Sequence, residues 1–251
     1  MPNLSLNTTL NYSPNFNLKK RKSKQIKFII FHYTGMKNEK SAIEKLTNYK
    51  SKVSCHYFIK NDGEIITMVP DLFISWHAGV SYWKGLKSLN NYSIGIEISN
   101  PGHNFGYKKF SKKQINSVIR LSKFLISKYK ISKKNILGHS DVAPNRKKDP
   151  GEKFPWKFLS KNKIGYWHNI NKKKLIKLRN WKIDDKNKKK FFKNLVKIGY
   201  LQILKYKKHE NSKQIVCAFQ RRFRQELTNG VIDQECLYIS NNIAKNFHKI
   251  S

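Results

Sequence analysis

Gln25-Ile-Lys-Phe-Ile-Ile-Phe31 is a run of β-branched and aromatic residues closed by His32-Tyr-Thr-Gly35. A short apolar run without helical spacing predicts a strand buried on both faces. Ser93-Ile-Gly-Ile-Glu-Ile98 reads the same way, yet it carries Glu97. An acid in an apolar strand is unusual unless it is paired or functional. Residues 135–138 form a third short strand that runs into Gly138-His139. Residues 56–59 and 64–69 alternate around Asn61-Asp62-Gly63, which predicts a hairpin with a type I′ turn.

Between these strands the period changes. Ala42, Ile43, Leu46 and Tyr49 share one helical face within residues 39–50. Ser111-x-x-Gln114 is a capping box, opening a helix whose inner face carries Ile115, Val118, Ile119, Phe124 and Leu125. Strands and helices mix, so the expected fold is α/β, a mixed central β-sheet flanked by helices. Further along, residues 188–198, 212–226 and 234–247 read as amphipathic helices, giving a small C-terminal three-helix domain. The expected organisation is an irregular basic arm over 1–24, a first domain over 25–165, a linker over 166–186 and the helical domain over 187–251.

Bulk properties narrow the function less. The 251 residues carry 52 Lys and Arg against 15 Asp and Glu, a formal charge of +37. Such a charge attracts polyanions. Lysines shared among Asn- and Ile-rich segments also fit a coding bias with the charge spread over solvated faces. A nucleic-acid binder needs a reader motif or stacking aromatics on a basic face, and the sequence shows no such motif. Specific nucleic acid is therefore not an expected partner. Cys55, Cys217 and Cys236 form no CxxC pair, which fits free thiols better than a disulfide framework. The polar N-terminus has no apolar leader segment, and no run is long enough to span a membrane. A cytoplasmic monomer is the expectation, with periplasmic or outer-membrane association as the alternative.

Three side chains suit a metal. His32 ends the first strand, His139 follows the third, and Asp149 lies ten residues later in a Pro-containing loop. Two imidazoles and one carboxylate leave a fourth position open for water, the donor set of a catalytic Zn²⁺ site. Glu97 suits a general base, and Lys147 suits stabilisation of an oxyanion. Spacing alone leaves unrelated histidines and a salt-bridged Glu97 as alternatives.

Four motifs occur in order: Phe31-His-Tyr-Thr34, Trp76-His-Ala-Gly79, Ser93-Ile-Gly-Ile-Glu-Ile98 and Gly138-His-Ser-Asp-Val-Ala-Pro-Asn-Arg-Lys-Lys-Asp-Pro-Gly151. Together they resemble the type 2 N-acetylmuramoyl-L-alanine amidases, the AmiD and AmpD group, over about residues 25–160. The resemblance implies a fold shared with peptidoglycan recognition proteins. It implies one Zn²⁺ on His32, His139 and Asp149, with Glu97 and Lys147 catalytic. It also implies substrate contacts from Tyr33, Trp76, His77 and Ala78, His77 lining the groove rather than binding metal. The substrate would be peptidoglycan or a muropeptide, the anhydro form included, cut between N-acetylmuramic acid and L-alanine. A non-catalytic peptidoglycan-binding module is the main competitor, and a basic polyanion binder the second. Ala218-Phe-Gln-Arg-Arg-Phe-Arg224 resembles a helix of a peptidoglycan-binding three-helix domain, its aromatics inward and its arginines outward. A docking subdomain without a ligand is the alternative there. His56 is expected in the core, Asp141 as a loop anchor, and His103, His168, His209 and His248 at the surface.

Overall fold

A computed structural model describes residues 6–200 and 212–247. The strands are β1 (Thr9–Leu10), β2 (Phe16–Asn17), β3 (Phe28–Tyr33), β4 (Tyr57–Ile59), β5 (Ile65–Thr67), β6 (Ile74–Ser75), β7 (Tyr82–Trp83), β8 (Leu86–Lys87), β9 (Ser93–Ile98) and β10 (Ile136–Gly138). The helices are α1 (Glu39–Thr47), α2 (Lys112–Tyr129), α3 (His139–Val142), α4 (Trp156–Lys161), α5 (Lys172–Leu178), α6 (Asp185–Ile198), α7 (Ser212–Phe223) and α8 (Gln234–Asn246). Six strands form one sheet in the order β1-β5-β4-β9-β3-β10. β10, β3, β9 and β4 run parallel, β5 is antiparallel to β4, and β1 is parallel to β5. The mixed sheet flanked by helices matches the expected fold class.

Both faces of the sheet are covered, which explains why its central strands are apolar rather than alternating. Ile29 and Phe31 of β3, with Ile94, Ile96 and Ile98 of β9, pack against α2 and α4 through Val118, Leu121, Leu125 and Trp156. Phe28 and Ile30, on the other face, join Phe191, Leu195, Phe219 and Ile239 of the C-terminal helices. Period two therefore puts His32 and Glu97 on the C-terminal-helix side of the sheet, where Gly95 leaves a gap between them and the strand start. The capping box forms as expected, with Gln114 N–H on Ser111 Oγ at 3.1 Å and Ser111 N–H on Gln114 Oε1 at 2.9 Å.

Several expectations are corrected. The 61–63 turn is not type I′, because neither Asn61 nor Asp62 has positive φ. Gly63 N–H closes on Lys60 O at 3.0 Å and Gly63 alone has φ of 89°, the type I turn followed by a left-handed glycine. Tyr49 is 60% exposed, because α1 has ended before it. The N-terminal arm is not irregular throughout: β1 adds to the sheet edge, and the buried Arg21 donates to the carbonyls of Asp71 and Asn90. The 166–186 stretch contains α5 and puts Tyr166, Leu175 and Ile183 into the same core as the C-terminal helices. α7 does turn Phe219 and Phe223 inward, but Arg222 and Arg224 are buried too, at 1% and 3% exposure. Arg222 lies 4.4 Å from the Trp156 ring centroid and pairs with Asp141 at 2.5 Å. Tyr200 O–H also donates to Asp141. Helices α6–α8 thus share a core with the sheet and clamp the segment that carries His139. Residues His209 and His248 lie outside the described residues.

Candidate active site

The parallel strands β10, β3 and β9 lie side by side, and their C-terminal ends deliver His139, His32 and Glu97 to one crevice, the usual ligand position of such sheets. Register pairs His32 directly with Glu97. The 143–149 loop returns Lys147 and Asp149 over the same edge. A cleft of about 390 Å³ results, lined among others by Tyr33, Trp76, His77, Glu97, Lys147 and Asp149.

His32 Nδ1, His139 Nδ1 and Asp149 Oδ2 form a triangle with sides of 2.9, 3.0 and 3.0 Å. All three residues are buried, and the group has the make-up of a metal site. Hydrogen-bond logic decides what those atoms offer. Ser93 O–H can only donate to Leu89 O, at 2.6 Å. Ser93 Oγ must then accept from His77 Nε2–H at 3.1 Å, which leaves His77 Nδ1 a lone pair. His77 Nδ1 must accept from His32 Nε2–H at 3.0 Å, so His32 Nδ1 faces the triangle bare. Independently, His139 Nε2–H donates to Ala78 O at 3.1 Å, which turns its Nδ1 inward. Burial lowers the His32 pKa to about 4, so its imidazole is neutral at pH 7. Two nitrogen lone pairs and a carboxylate thus converge within 3 Å, an arrangement that calls for a cation between them. The residues present fit a metal ion.

His77 is buried at 8% exposure behind His32, so it holds that ring from the rear as well as touching the cleft. A Cβ at Gly95 would meet His77 Cγ at 2.3 Å, so the glycine makes room for the ring. Exchange of His77 for Phe is expected to weaken metal binding by roughly 10- to 100-fold, the usual effect of losing such a partner. Ser93→Ala should move affinity the same way by less. Competition against a chelating dye measures both, and unchanged affinity in His77→Phe would remove the relay from the account.

Glu97 sits beside this triangle. Its Oε2 is buried without a hydrogen-bond partner. Burial first, then the charge of Asp149, push its pKa up to about 8, with Lys147 opposing. A carboxyl poised near neutrality and aimed into a cleft suits proton transfer. Trp76 donates its indole N–H to Asn17 Oδ1 at 2.8 Å and forms part of the cleft wall. Ala78 is fully buried in the core. Its backbone carbonyl, not its side chain, acts here, taking His139 and Arg146.

His103 is a correction and an addition. It is not a free surface residue. Tyr33 O–H donates to His103 Nδ1 at 2.8 Å, and His103 Nε2–H donates to Glu152 Oε2 at 3.1 Å. The His103 ring stacks on Tyr107 with centroids 4.4 Å apart. Burial, with Asp149 adding, raises the Tyr33 pKa to about 12, so the phenol keeps its proton at the cleft rim. The available sequence signal was position: His103 lies five residues beyond the end of β9, on the functional edge of a parallel sheet. His56 is a core residue as expected, fully buried and bonded to Gly95 N–H at 3.0 Å. Asp141 accepts from Gly138 N–H at 2.8 Å, also as expected.

Comparison with known proteins agrees with this geometry. Residues 22–152 match the family described as N-acetylmuramoyl-L-alanine amidase. The chain is 33% identical over 223 residues to N-acetylmuramoyl-L-alanine amidase AmiD of Escherichia coli, covering 84% of this chain and 79% of that protein. It is 42% identical over 105 residues to 1,6-anhydro-N-acetylmuramyl-L-alanine amidase AmpD of the same species, covering 42% of this chain and 55% of AmpD. Among solved structures, E. coli AmiD in complex with the substrate anhydro-N-acetylmuramic acid-L-Ala-D-gamma-Glu-L-Lys superimposes with a TM-score of 0.75 at 30% identity, covering 89% of this chain and 90% of that one. AmpDH3 from Pseudomonas aeruginosa gives 0.78 at 27% identity, covering 94% and 97%. With the match spanning more than half of its residues, and with the metal-type triangle and Glu97 inside that span, this chain belongs to the N-acetylmuramoyl-L-alanine amidase family.

Proposed function

We propose that the chain hydrolyses the amide between N-acetylmuramic acid and L-alanine in peptidoglycan or muropeptides, in cell-wall turnover or recycling, with one Zn²⁺ held by His32, His139 and Asp149. The observation that carries this is the bare-lone-pair triangle set beside the unpartnered Oε2 of Glu97 in one cleft. Bound there, Zn²⁺ would supply Lewis acidity to the scissile carbonyl and to water.

The protein's own groups do the rest. Glu97 takes a proton from the attacking water and returns it to the amine of L-alanine as that amine leaves. Its raised pKa makes the return favourable, and Lys147, whose charge opposes that rise, keeps the ionised form accessible. Lys147, on the cleft wall, offsets the charge that develops on the carbonyl oxygen. His77 and Ser93 hold His32 in the metal-binding tautomer. Trp76 gives a flat face for a sugar or peptide, and Tyr33 fixes one rim. The products are the sugar acid and a peptide with a free L-alanine amine.

Purified anhydro-muropeptide and intact sacculi offered to zinc-loaded protein should both be assayed for new L-alanine amine. Release should fall at least a hundredfold on chelation and return with zinc. Protein that binds one equivalent of zinc yet releases nothing from either substrate would leave a peptidoglycan-binding module instead. Among the described residues no helix is long and apolar enough to cross a membrane.

A further inference from the structure

A second cavity, of about 340 Å³, lies between the metal-loop residues 144–148 and the outer face of α7. Arg146, Lys147 and Lys148 line both this cavity and the catalytic cleft and form the basic wall between them. Lys213, Cys217 and Arg221 close the far side. Five of its nine lining residues are cationic, where the chain's average would put about two, and none is acidic. Composition alone therefore does not account for it.

The cations are also placed rather than loose. Arg146 is pinned by hydrogen bonds to the carbonyls of Ala78 and Val80 at 2.7 Å each. Lys213 lies with its stem over Gly230, where an added Cβ would stand 2.5 Å from Lys213 Cγ. Arg221 Nε is buried without a hydrogen-bond partner, its nearest carboxylate being Glu152 at 3.9 Å. Lys147, Lys148 and Lys213 have no acidic partner among the described residues. Five cations on one wall, with Glu152 beside Arg221 as the one carboxylate in ion-pair range among the described residues, repel one another less when an anion joins them.

We propose that this cavity is a subsite for a carboxylate on the peptide half of the substrate. The assignment rests on the amidase reading. In a muramoyl peptide the lactyl carboxyl is consumed in the scissile amide, and the sugar carries no other charge. The remaining anions are peptide carboxylates, on the amine side of the bond being cut. A basic subsite that shares Lys147 and Lys148 with the cleft therefore matches the stem peptide, not the glycan.

The test compares Lys213→Glu, an exposed position outside the catalytic groups, with wild type and Lys213→Arg. Two muropeptides are used: one with free peptide carboxylates, and the same compound with those carboxylates converted to amides. Wild type and Lys213→Arg should show a KM for the free-acid form about fivefold below that for the amide form, a preference that fades with salt. Lys213→Glu should erase the preference by raising KM for the free-acid form to that of the amide form. Calorimetry of L-Ala-D-γ-Glu-L-Lys, which has no scissile bond, reads the subsite without turnover. Absence of turnover by wild type with carboxylate-dependent peptide binding intact would overturn the amidase reading and keep the subsite. Equal free-acid and amide affinities in wild type and Lys213→Glu would overturn the subsite. So would displacement by inorganic phosphate with both peptide forms binding alike, which would assign the cavity to phosphate.

Discussion

Replacing Glu97 by Gln should lower kcat on muropeptide by roughly 10²- to 10⁴-fold while zinc affinity stays within a few-fold of wild type. The amide keeps the shape and loses the transferable proton. The same exchange should stabilise the metal-free protein at alkaline pH. Glu97 titrates near 8 in the fold against an ordinary value of 4.5. Its folded pKa is raised, so folding takes up a proton between those values. Its contribution is full below 4.5 and is lost as pH rises through about 8. Gln does not titrate, so Glu97→Gln removes that slope. The order of magnitude is a few kcal/mol, or a Tm gain of roughly 5–10 °C over wild type at pH 9 that shrinks toward pH 5. Calorimetric scans of both metal-free proteins over that pH range check it. Parallel curves would mean that Glu97 is solvated and not poised for proton transfer.

Arg222→Ala should be the most destabilising single change outside the cleft. The guanidinium is buried between Trp156, Asp141 and the carbonyl of Ile136, which it reaches at 2.8 Å. Its loss leaves Asp141 with a buried charge and only Tyr200 O–H and Gly138 N–H to offset it. Breaking such a pair from one side costs about 3–5 kcal/mol. Asp141 sits two residues after His139, so amide exchange over 136–143 should accelerate along with the fall in denaturant midpoint. Adding Asp141→Asn to Arg222→Met should recover part of the loss, since neither partner then carries an unmatched charge. A midpoint unchanged within error in Arg222→Ala would show that the C-terminal helices do not brace the metal loop.

The contrast between these two residues shows what a single sequence reveals. Glu97 was legible because an acid interrupts an apolar strand, and a strand end fixes where its side chain points. His32 and His139 were legible for the same reason, and the motif from Gly138 to Gly151 put Lys147 and Asp149 in register with them. Arg222 was misread as outward because helical period predicts a face, while burial of a cation depends on an acid 81 positions away. The relay from His32 through His77 to Ser93 joins three segments through side-chain atoms, and no local pattern encodes that. His103 was set aside because its partners, Tyr33 and Glu152, meet only in three dimensions. The 61–63 turn was misassigned because Asn-Asp-Gly satisfies more than one turn geometry, and loop length rather than composition chose between them.

Anomalous scattering at the zinc edge from crystals of the zinc-loaded protein would locate the metal against the His32–His139–Asp149 triangle. One peak per chain is expected, about 2.0–2.2 Å from His32 Nδ1, His139 Nδ1 and Asp149 Oδ2, with Glu97 in the cleft but not ligating. A peak bound through either Nε2, or a site elsewhere with this triangle empty, would contradict the tautomer relay and the reaction built on it.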